Sequence, residues 1–406
     1  MIVLSILLSC FRKGADPFSP ARVYGFIWFF AIGLTDLKFS LFQHQWSLYA
    51  WTALLCGVVS FLLGTFINYL FNINKALLSI QEIRCRIQTE ANIAIDSKRF
   101  FRILIILFIA YMLAYLAEVI IEGGVPIFSL RPDVARIRFG VFGIHLIVNT
   151  MPILLFLILE YFILIKKHLF QKMIVVILFS VVVVSFFFLL QRFNFVVNAL
   201  ISLAFLHYSS RYLRPKNIWI FSILFLAMLI GIQSIRLTSY VQNYIYVVSK
   251  MKYSSSYAFF TEPYMYIVMN LENFARGVAS LQNYSYGYFT GDFLFAIVGL
   301  KHWLADYFKI IERPFLISGY NTYPYFWTYY YDFGIVGVGL FPFLIGLAIG
   351  FIYYRLRIYP TIRLAGIYSI SFFVMVISFF TNPLTMLNMA YMIVVWSLAH
   401  TYIVKR

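Results

Sequence analysis

Three arginines follow a glycine- and proline-rich turn in the first half of the chain. The segment 123–140 reads GGVPIFSLRPDVARIRFG and contains Arg131, Arg136 and Arg138. Guanidinium groups suit diphosphates, because their fixed fork of N–H donors matches the oxygens of a phosphate. Arg136 and Arg138 are two residues apart and would not share a helix face, so we expect an extended or turn conformation after Pro132 to aim them together. Contact with lipid headgroups is the alternative interpretation of these basic residues.

Two further arginines stand at the ends of apolar runs. Arg192 lies in the short turn LLQRFNF between two such runs, and Arg236 follows another in GIQSIRL. If these apolar runs cross a membrane, a charged residue at their ends is costly, so each of these arginines indicates a functional site by default. The alternative is that the long side chain reaches out to the interface. Together with the first three arginines, these two predict one outward-facing cationic pocket.

A third group of polar residues precedes a glycine-rich apolar run. The segment 319–339 reads GYNTYPYFWTYYYDFGIVGVG and contains Asn321, Tyr323, Tyr325 and Asp332. A carboxylate at the edge of a membrane can act as a general base or pair with an arginine. The alternative for Asp332 is an acid placed at a helix N-terminus, where the helix dipole favours it.

Aromatic and isolated titratable residues add weaker signals. More than half of the 31 tyrosines lie between Tyr240 and Tyr331, which fits the handling of carbohydrate or an aromatic belt at the membrane interface. Glu272 and Arg276 are four residues apart, as in a salt bridge on a helix surface. The remaining candidates for proton transfer, which are more often structural, are Glu118, Glu122, Glu262, His145 and His302.

The elements that must position these residues are membrane helices. Hydrophobic residues make up 63% of the 406 residues and charged residues only 12%, whereas soluble domains have about 45–50% and 25%. Runs long enough to cross a bilayer occur at about 22–38, 46–70, 101–121, 141–165, 172–190, 195–210, 217–233, 328–354, 362–380 and 384–403. The fold prediction is an all-α, polytopic membrane helix bundle of about ten transmembrane helices, forming a single integral membrane domain over residues 1–406.

The distribution of lysine and arginine predicts the orientation of this bundle. Every second segment between the runs carries at least two basic residues, which places those segments and both termini in the cytoplasm. Residues 122–140 and a large loop at 234–327 are then outside. The large loop contains helix-like stretches at 257–281 and 292–311. The formal charge of +17 is thereby explained by cytoplasmic loops rather than by nucleic acid.

Several classes of protein are excluded or disfavoured by missing patterns. The sequence has no P-loop and no HExxH, GxSxG or CxxC motif, which disfavours ATP-driven pumps and zinc proteases. Cys10, Cys56 and Cys85 have no zinc-ligand spacing and none falls in a segment predicted outside, so we expect neither a metal site nor a disulfide. We expect no cofactor.

The motifs resemble the oligosaccharide repeat-unit polymerase family, the O-antigen (Wzy-type) polymerases of bacterial envelopes. The resemblance rests on Ser19–Trp28, on the GGVPIFS turn with its trailing arginines, on the Arg192 turn and above all on the run from Asn321 to Gly337. It implies a glycosyltransferase on the periplasmic face of the inner membrane that joins undecaprenyl-diphosphate-linked oligosaccharides, in contact with membrane lipid and with a chain-length regulator as a further partner.

Residue roles follow from combining this resemblance with the chemistry of the side chains. Arg136, Arg236 and Asp332 are the predicted catalytic residues, with the arginines neutralising the diphosphate leaving group. The predicted substrate-binding residues are Arg131, Arg138, Arg192, Asn321, Tyr323 and Tyr325. An envelope glycan ligase would share this architecture. A lipid-linked oligosaccharide flippase or other transporter would more often show charges deep within its helices and internal pseudosymmetry.

Overall fold

The structure of this protein is a computed structural model that describes residues 15–165, 168–210, 239–311 and 314–404. Every regular element in these ranges is helical. The α-helices in chain order are α1 Pro20–Asp36, α2 Leu48–Asn72, α3 Ile80–Ala94, α4 Ser97–Ile121, α5 Pro132–Arg138, α6 Ile144–Val148, α7 Met151–Leu164, α8 Leu169–Phe187, α9 Phe193–Ser209, α10 Ser239–Val248, α11 Thr261–Ser280, α12 Asp292–Ile297, α13 Lys301–Phe308, α14 Phe326–Ile358, α15 Ile362–Ile377 and α16 Leu387–Ile403.

Five helical segments in the described residues are long and apolar enough to cross a membrane. They are Leu48–Asn72, Ser97–Phe128, Ile144–Leu164, Leu169–Phe187 and Phe326–Ile358. Three shorter apolar helices, α9, α15 and α16, accompany them. These segments have the length and composition of membrane spans, so the prediction of an all-helical protein with membrane-spanning helices is confirmed at this level.

The apolar runs of the sequence correspond closely to these helices. Helices lie in every predicted run except the seventh, at 217–233, which lies outside the described residues. The run at 141–165 contains two helices, α6 and α7, with a turn between them. The helix-like stretches predicted at 257–281 and 292–311 are also confirmed, as α11 and as the short pair α12 and α13. The number of membrane crossings and the side on which each loop lies stay predictions.

The chain divides into two compact units. The first unit consists of Met1–Leu77, Ser239–Ile358 and Ser371–Met389, and the second of Leu78–Thr238, Tyr359–Ile370 and Ala390–Arg406. That residues 1–406 form a single integral membrane domain stays a prediction.

The first unit is built on the close packing of α2 against α14. A Cβ atom added to Gly64 would lie 2.3 Å from the carbonyl oxygen of Phe343, and one added to Gly346 would lie 2.2 Å from that of Phe61. Small residues at such crossings let two helix backbones approach, which is a common way to join helices in lipid. Helix α11 packs against α1 and α2 in the same unit.

Helix α3 of the second unit is amphipathic. Helix α3 begins with a capping box, in which Ser79 accepts from the backbone of Glu82 and Glu82 accepts from the backbone of Ser79. It buries Ile83, Ile87 and Ala91, which lie on one face at helical spacing. Hydrogen bonds with the backbone and the side chain of Ser79 lower the pKa of Glu82, because they stabilise its ionised form.

Candidate functional site

A buried carboxylate and a histidine form the centre of a polar network in the second unit. Glu118, in the last turn of α4, is fully buried and lies 3.0 Å from Nδ1 of His145 in α6. The same carboxylate accepts the backbone N–H of Val141 at 3.1 Å. On the other side of the ring, Nε2 of His145 lies 3.4 Å from Nε2 of Gln191, which precedes α9. The network therefore links three helix ends.

Two glycines allow the chain to bring His145 against Glu118. Gly140 has φ +135° and Gly143 has φ +82°, a region of backbone conformation that favours glycine. A Cβ atom on Gly140 would lie 2.9 Å from the imidazole ring of His145, too close for any larger residue. The glycines of this turn are thus required by the position of the histidine.

The arginine segment before this turn is helical, which corrects one expectation. Pro132–Arg138 forms a short helix, so the predicted extended or turn conformation after Pro132 is wrong. Proline at the first helical position is pre-organised for a helix. Asp133 at the start, with Arg136 and Arg138 at the end, matches the helix dipole. The proline therefore begins a helix here instead of preventing one.

This helix distributes its arginines unequally. Arg131 and Arg138 are exposed, whereas Arg136 is half-buried and its Nε atom is fully buried. Arg136 and Arg138 are two residues apart on a helix, so their side chains leave in different directions. Of the three arginines, only Arg136 has its guanidinium partly inside the second unit.

The turn with Arg192 lies against the start of the same segment. The backbone N–H of Ile127 donates to the carbonyl oxygen of Phe188 at 3.1 Å, and the rings of Phe128 and Phe188 are 5.5 Å apart. Leu190 has φ +57°, which reverses the chain direction between α8 and α9. Arg192 is half-buried at the start of α9. The segment with Arg136 and the turn with Arg192 are therefore neighbours at one end of the second unit.

Asparagine side chains hold the helix N-termini at this end together. Asn194 in α9 donates from Nδ2 to Oδ1 of Asn149 at 2.7 Å, and Asn198 donates to the carbonyl oxygen of Pro152 at 3.0 Å. These bonds fix α9 beside α7. The end of the second unit thus combines a buried acid, a histidine, amides and two half-buried arginines.

This constellation can bind an anion and accept a proton. A carboxylate that accepts the N–H at Nδ1 of a histidine fixes the tautomer in which Nε2 carries a lone pair. With Glu118 bound to Nδ1, the Nε2 of His145 is available as a proton acceptor once the long contact with Gln191 opens. Guanidinium groups of Arg136 and Arg192 provide donors for phosphate oxygens.

Asp332 has contacts of a different kind from those expected. Its carboxylate is fully buried and accepts from the hydroxyl of Ser285 at 2.5 Å, the backbone of Phe289 at 3.1 Å, and the backbone and hydroxyl of Thr290, both at 2.6 Å. A carboxylate offers about four lone-pair sites, and these four donors occupy them. Asp332 therefore anchors the loop 285–290 to the start of α14.

A kink in α14 completes this anchor. Gly334 has φ +63° and ψ −149°, so the helix is interrupted two residues after Asp332. The carbonyl oxygens of Tyr331 and Asp332 are released from the helix and accept the backbone N–H groups of Ser285 and Tyr286 at 3.0 and 3.2 Å. The glycine-rich sequence after Asp332 thus serves the attachment of a loop in the first unit.

The other residues predicted from this motif are mostly packed inside the first unit. Tyr323 stacks on Trp327 with ring centroids 4.5 Å apart, and its hydroxyl donates to the carbonyl oxygen of Pro314. Burial raises the pKa of the Tyr323 hydroxyl, which keeps it protonated as a donor. Tyr325 is fully buried, and its hydroxyl lies 2.6 Å from that of Tyr24. Asn321 is exposed.

Two further sequence predictions have different outcomes. Arg236 lies outside the described residues. The predicted surface bridge between Glu272 and Arg276 is wrong: Glu272 is buried and instead contacts His44 and Trp46, while Arg276 is exposed. Because α11 is packed inside the first unit rather than lying on its surface, its acid turns toward a neighbouring loop.

Sequence reasoning missed the connections among Glu118, His145 and Gln191. It noted the acid and the histidine separately, but 27 residues separate them and no spacing rule connects them. In the described ranges of the chain, no cluster of three or more His, Cys, Asp or Glu side chains is placed to hold a metal ion. Comparison with protein-family models, with curated proteins and with solved structures finds no match to this chain.

Proposed function

We propose that this protein is a membrane glycosyltransferase that polymerises lipid-linked oligosaccharide repeat units. Its substrates are undecaprenyl-diphosphate-linked repeats of an O-antigen or of a capsular or exopolysaccharide, and it acts at the periplasmic face of the bacterial inner membrane. Membrane-spanning helices give the lipid tail an apolar environment. The observation that carries the proposal is the network of Glu118, His145 and Gln191 at the end of the second unit where the Arg136 segment contacts the Arg192 turn.

In the reaction we propose, a hydroxyl of the incoming repeat attacks the anomeric carbon of the growing chain. The C–O bond to undecaprenyl diphosphate breaks, and the diphosphate leaves with the electron pair. The hydroxyl proton passes to a base on the protein. Charge develops on the diphosphate in the transition state, so a guanidinium held at that place accelerates the step without a metal or nucleotide.

The structure supports a specific distribution of these roles. Arg136 and Arg192 contact the diphosphate, since both are half-buried at one end of the second unit. Arg131 and Arg138 are exposed and guide the anionic headgroup toward them. His145 accepts the proton, with Glu118 as the residue that orients it. Asp332 positions a loop instead of acting as the base, because its lone pairs are occupied.

A lipid-linked oligosaccharide flippase is the second candidate. The observation that favours it is a buried acid–histidine pair: Oε2 of Glu160 lies 2.9 Å from Nε2 of His400, and both residues belong to the second unit. Such pairs serve as proton relays in transporters. However, Glu160 is four residues from the end of α7, which is about 6 Å of helix, so this pair does not lie deep within a span.

Complementation of a strain that lacks the protein distinguishes the two functions. Glycans are separated on a gel, and the amount of each variant is checked by blotting. Loss of polymerase activity in Arg136→Ala leaves single repeat units exported to the cell surface. Loss of a flippase would instead leave lipid-linked repeats on the cytoplasmic face, and Glu160→Gln would reproduce that defect. Normal chain lengths from an Arg136→Ala, Arg192→Ala double variant would reject the proposed diphosphate contact.

A further inference from the structure

The first unit contains a polar cavity of its own. Its volume is about 180 Å³. It is lined by Thr35, Asp36, Lys38, His44, Gln45, Trp46, Trp51 and Glu272. Drug-sized ligands occupy about 300–1,000 Å³, so this cavity has room for a single small polar group such as one sugar ring rather than for a whole oligosaccharide.

One wall of the cavity consists of two tryptophans. The rings of Trp46 and Trp51 have centroids 4.5 Å apart at an interplanar angle of 38°, and both residues are half-buried. Their open faces are large, rigid and apolar, with few torsion angles to fix on binding. The apolar C–H face of a sugar ring packs well on a surface of this kind.

The polar groups of the cavity are a carboxylate and a histidine. The side chain of Glu272 is 1% exposed; Oε2 accepts Nε1 of Trp46 at 2.7 Å, and Oε1 lies 3.2 Å from Nδ1 of His44. The side chain of His44 is 61% exposed. In the described part of the chain, no hydrogen bond engages its Nε2, which is therefore available to a ligand hydroxyl.

The loop that carries His44 is held rigidly before any ligand binds. Gln43 accepts from the backbone of Ser40 at 3.1 Å and donates to the carbonyl oxygen of Thr35 at 2.9 Å. The hydroxyl of Tyr264 donates to Gln43 at 2.8 Å, and burial raises the pKa of Tyr264, so this donor stays protonated. Tyr264 and Glu272 belong to the same helix, α11. One helix therefore fixes both the loop and the acid, which limits the entropy cost of binding.

We propose that this cavity is a saccharide-binding site, in which a sugar ring stacks on Trp46 and Trp51 and its hydroxyls bond to His44 and Glu272. The identity of the glycan rests on the proposed function: it is a sugar of the repeat unit. Two tryptophans near an acid also suit a quaternary ammonium group. A sugar is the better ligand because three donors already bond to the Glu272 carboxylate, namely the backbone N–H and Nδ1 of His44 and Nε1 of Trp46. Hydroxyls, unlike an ammonium group, can both donate to and accept from the lining groups.

The test is calorimetric titration of the purified full-length protein in lipid nanodiscs. The probe is a mixture of oligosaccharides made by partial acid hydrolysis of the host's surface polysaccharide, which carry neither lipid nor diphosphate. We expect the wild-type protein to bind. Trp51→Ala and His44→Gln should each weaken binding about tenfold, the equivalent of one lost hydrogen bond or ring contact, whereas Trp51→Phe should retain most of it.

A tryptophan outside the cavity provides the control for Trp51. Trp303 is an exposed tryptophan of the first unit outside the cavity, so Trp303→Ala should bind as the wild type does. Equal weakening in Trp303→Ala and Trp51→Ala, or binding of choline in place of the oligosaccharides, would overturn the assignment. No binding by a folded wild-type protein would overturn it as well.

Failure of this site is distinguishable from failure of the proposed polymerase. Arg136→Ala should abolish chain growth and leave oligosaccharide binding unchanged. If chain growth depends on Arg136 but the wild-type protein binds no oligosaccharide, only the saccharide site is wrong. The opposite result is that oligosaccharides bind, that Trp51→Ala weakens their binding, and that Arg136→Ala polymerises normally. The saccharide site would then be supported and the proposed diphosphate contact rejected.

Discussion

The carboxylate of Glu118 lies 3.0 Å from Nδ1 of His145, although the two residues are 27 positions apart in the sequence. The contact joins the end of α4 to the start of the α6–α7 segment. It places a buried acid behind a histidine whose side chain is 23% exposed. This arrangement orients an acid–base group at the end of the second unit where Arg136 and Arg192 also lie.

Replacing His145 should abolish glycan chain growth. The rate is compared per folded molecule, because the buried Glu118 loses a hydrogen-bond partner in this variant. General acid–base catalysis contributes about 10²–10⁴ in rate, so His145→Ala should slow polymerisation by at least about 10²-fold. The rate is measured with purified protein in liposomes that contain the lipid-linked repeat unit. His302 is exposed in α13, and His302→Ala should keep the wild-type rate. Equal rates for His145→Ala and wild type would exclude this histidine as the base.

Glu118→Gln tests whether the acid acts through the histidine. Glutamine keeps the size of the side chain but removes the charge that supports the imidazolium formed during proton transfer. We expect a fall in kcat with KM little changed. A change in KM alone, with kcat unchanged, would show that Glu118 does not act through the histidine.

Asp332→Asn should affect stability more than chemistry. The backbone N–H groups of Phe289 and Thr290 bond to different oxygens of the carboxylate, Oδ1 and Oδ2. Asparagine keeps only one side-chain oxygen, so its NH2 group turns a donor toward one of these two N–H groups. A buried donor left without an acceptor costs about 1–3 kcal/mol. The variant should therefore unfold at a lower temperature in detergent, yet keep its activity per folded molecule. A variant that is as stable as the wild type but inactive would restore Asp332 as a catalytic residue.

Gly346→Ala should destabilise the first unit. Its new methyl group would lie 2.2 Å from the carbonyl oxygen of Phe61 in α2, so the two helices must separate. Overpacking of this kind costs about 1–3 kcal/mol. A methyl group on Gly33 in α1 would meet no atom within 4 Å, which makes Gly33→Ala the matched control. The stability of both variants is measured as the fraction of protein that remains soluble after heating in detergent. Identical melting curves for Gly346→Ala and Gly33→Ala would contradict the close packing of α2 and α14.

The predicted orientation can be tested with cysteine labelling. Cys85 is exposed on α3, which the sequence places in the cytoplasm, and Tyr286 is exposed in the loop predicted outside. In a protein with Cys10 and Cys56 replaced by serine, a membrane-impermeant maleimide should label spheroplasts only when Tyr286→Cys is also present. Labelling of Cys85 in intact spheroplasts would contradict the predicted topology.

The helices could be predicted from the sequence because lipid requires long apolar segments whose backbone bonds are satisfied internally. The site could be predicted only in part. Arg136 stood out as one of three arginines after a glycine- and proline-rich turn, and Arg192 as a charge at the end of an apolar run. However, Glu118 and His145 are 27 residues apart, and His44 and Glu272 are 228 apart. Such pairs form through tertiary packing, which no spacing rule describes. The hydrogen-bond partners of Asp332 depend on a kink at Gly334. The sequence shows a glycine at this position but does not predict the kink.

The proposed contact between Arg136 and the diphosphate is tested by measuring how fast the leaving group is released. The purified protein, in liposomes with the lipid-linked repeat unit, is assayed for the release of undecaprenyl diphosphate. Removing a transition-state charge contact costs about 10²–10³ in rate, so Arg136→Ala should lose that much. Arg136→Lys keeps the charge without the fork of donors and should fall between the two. Arg86 is exposed on α3 and serves as the control. We expect the wild-type rate in Arg86→Ala, and a wild-type rate in folded Arg136→Ala would contradict a contact between Arg136 and the diphosphate.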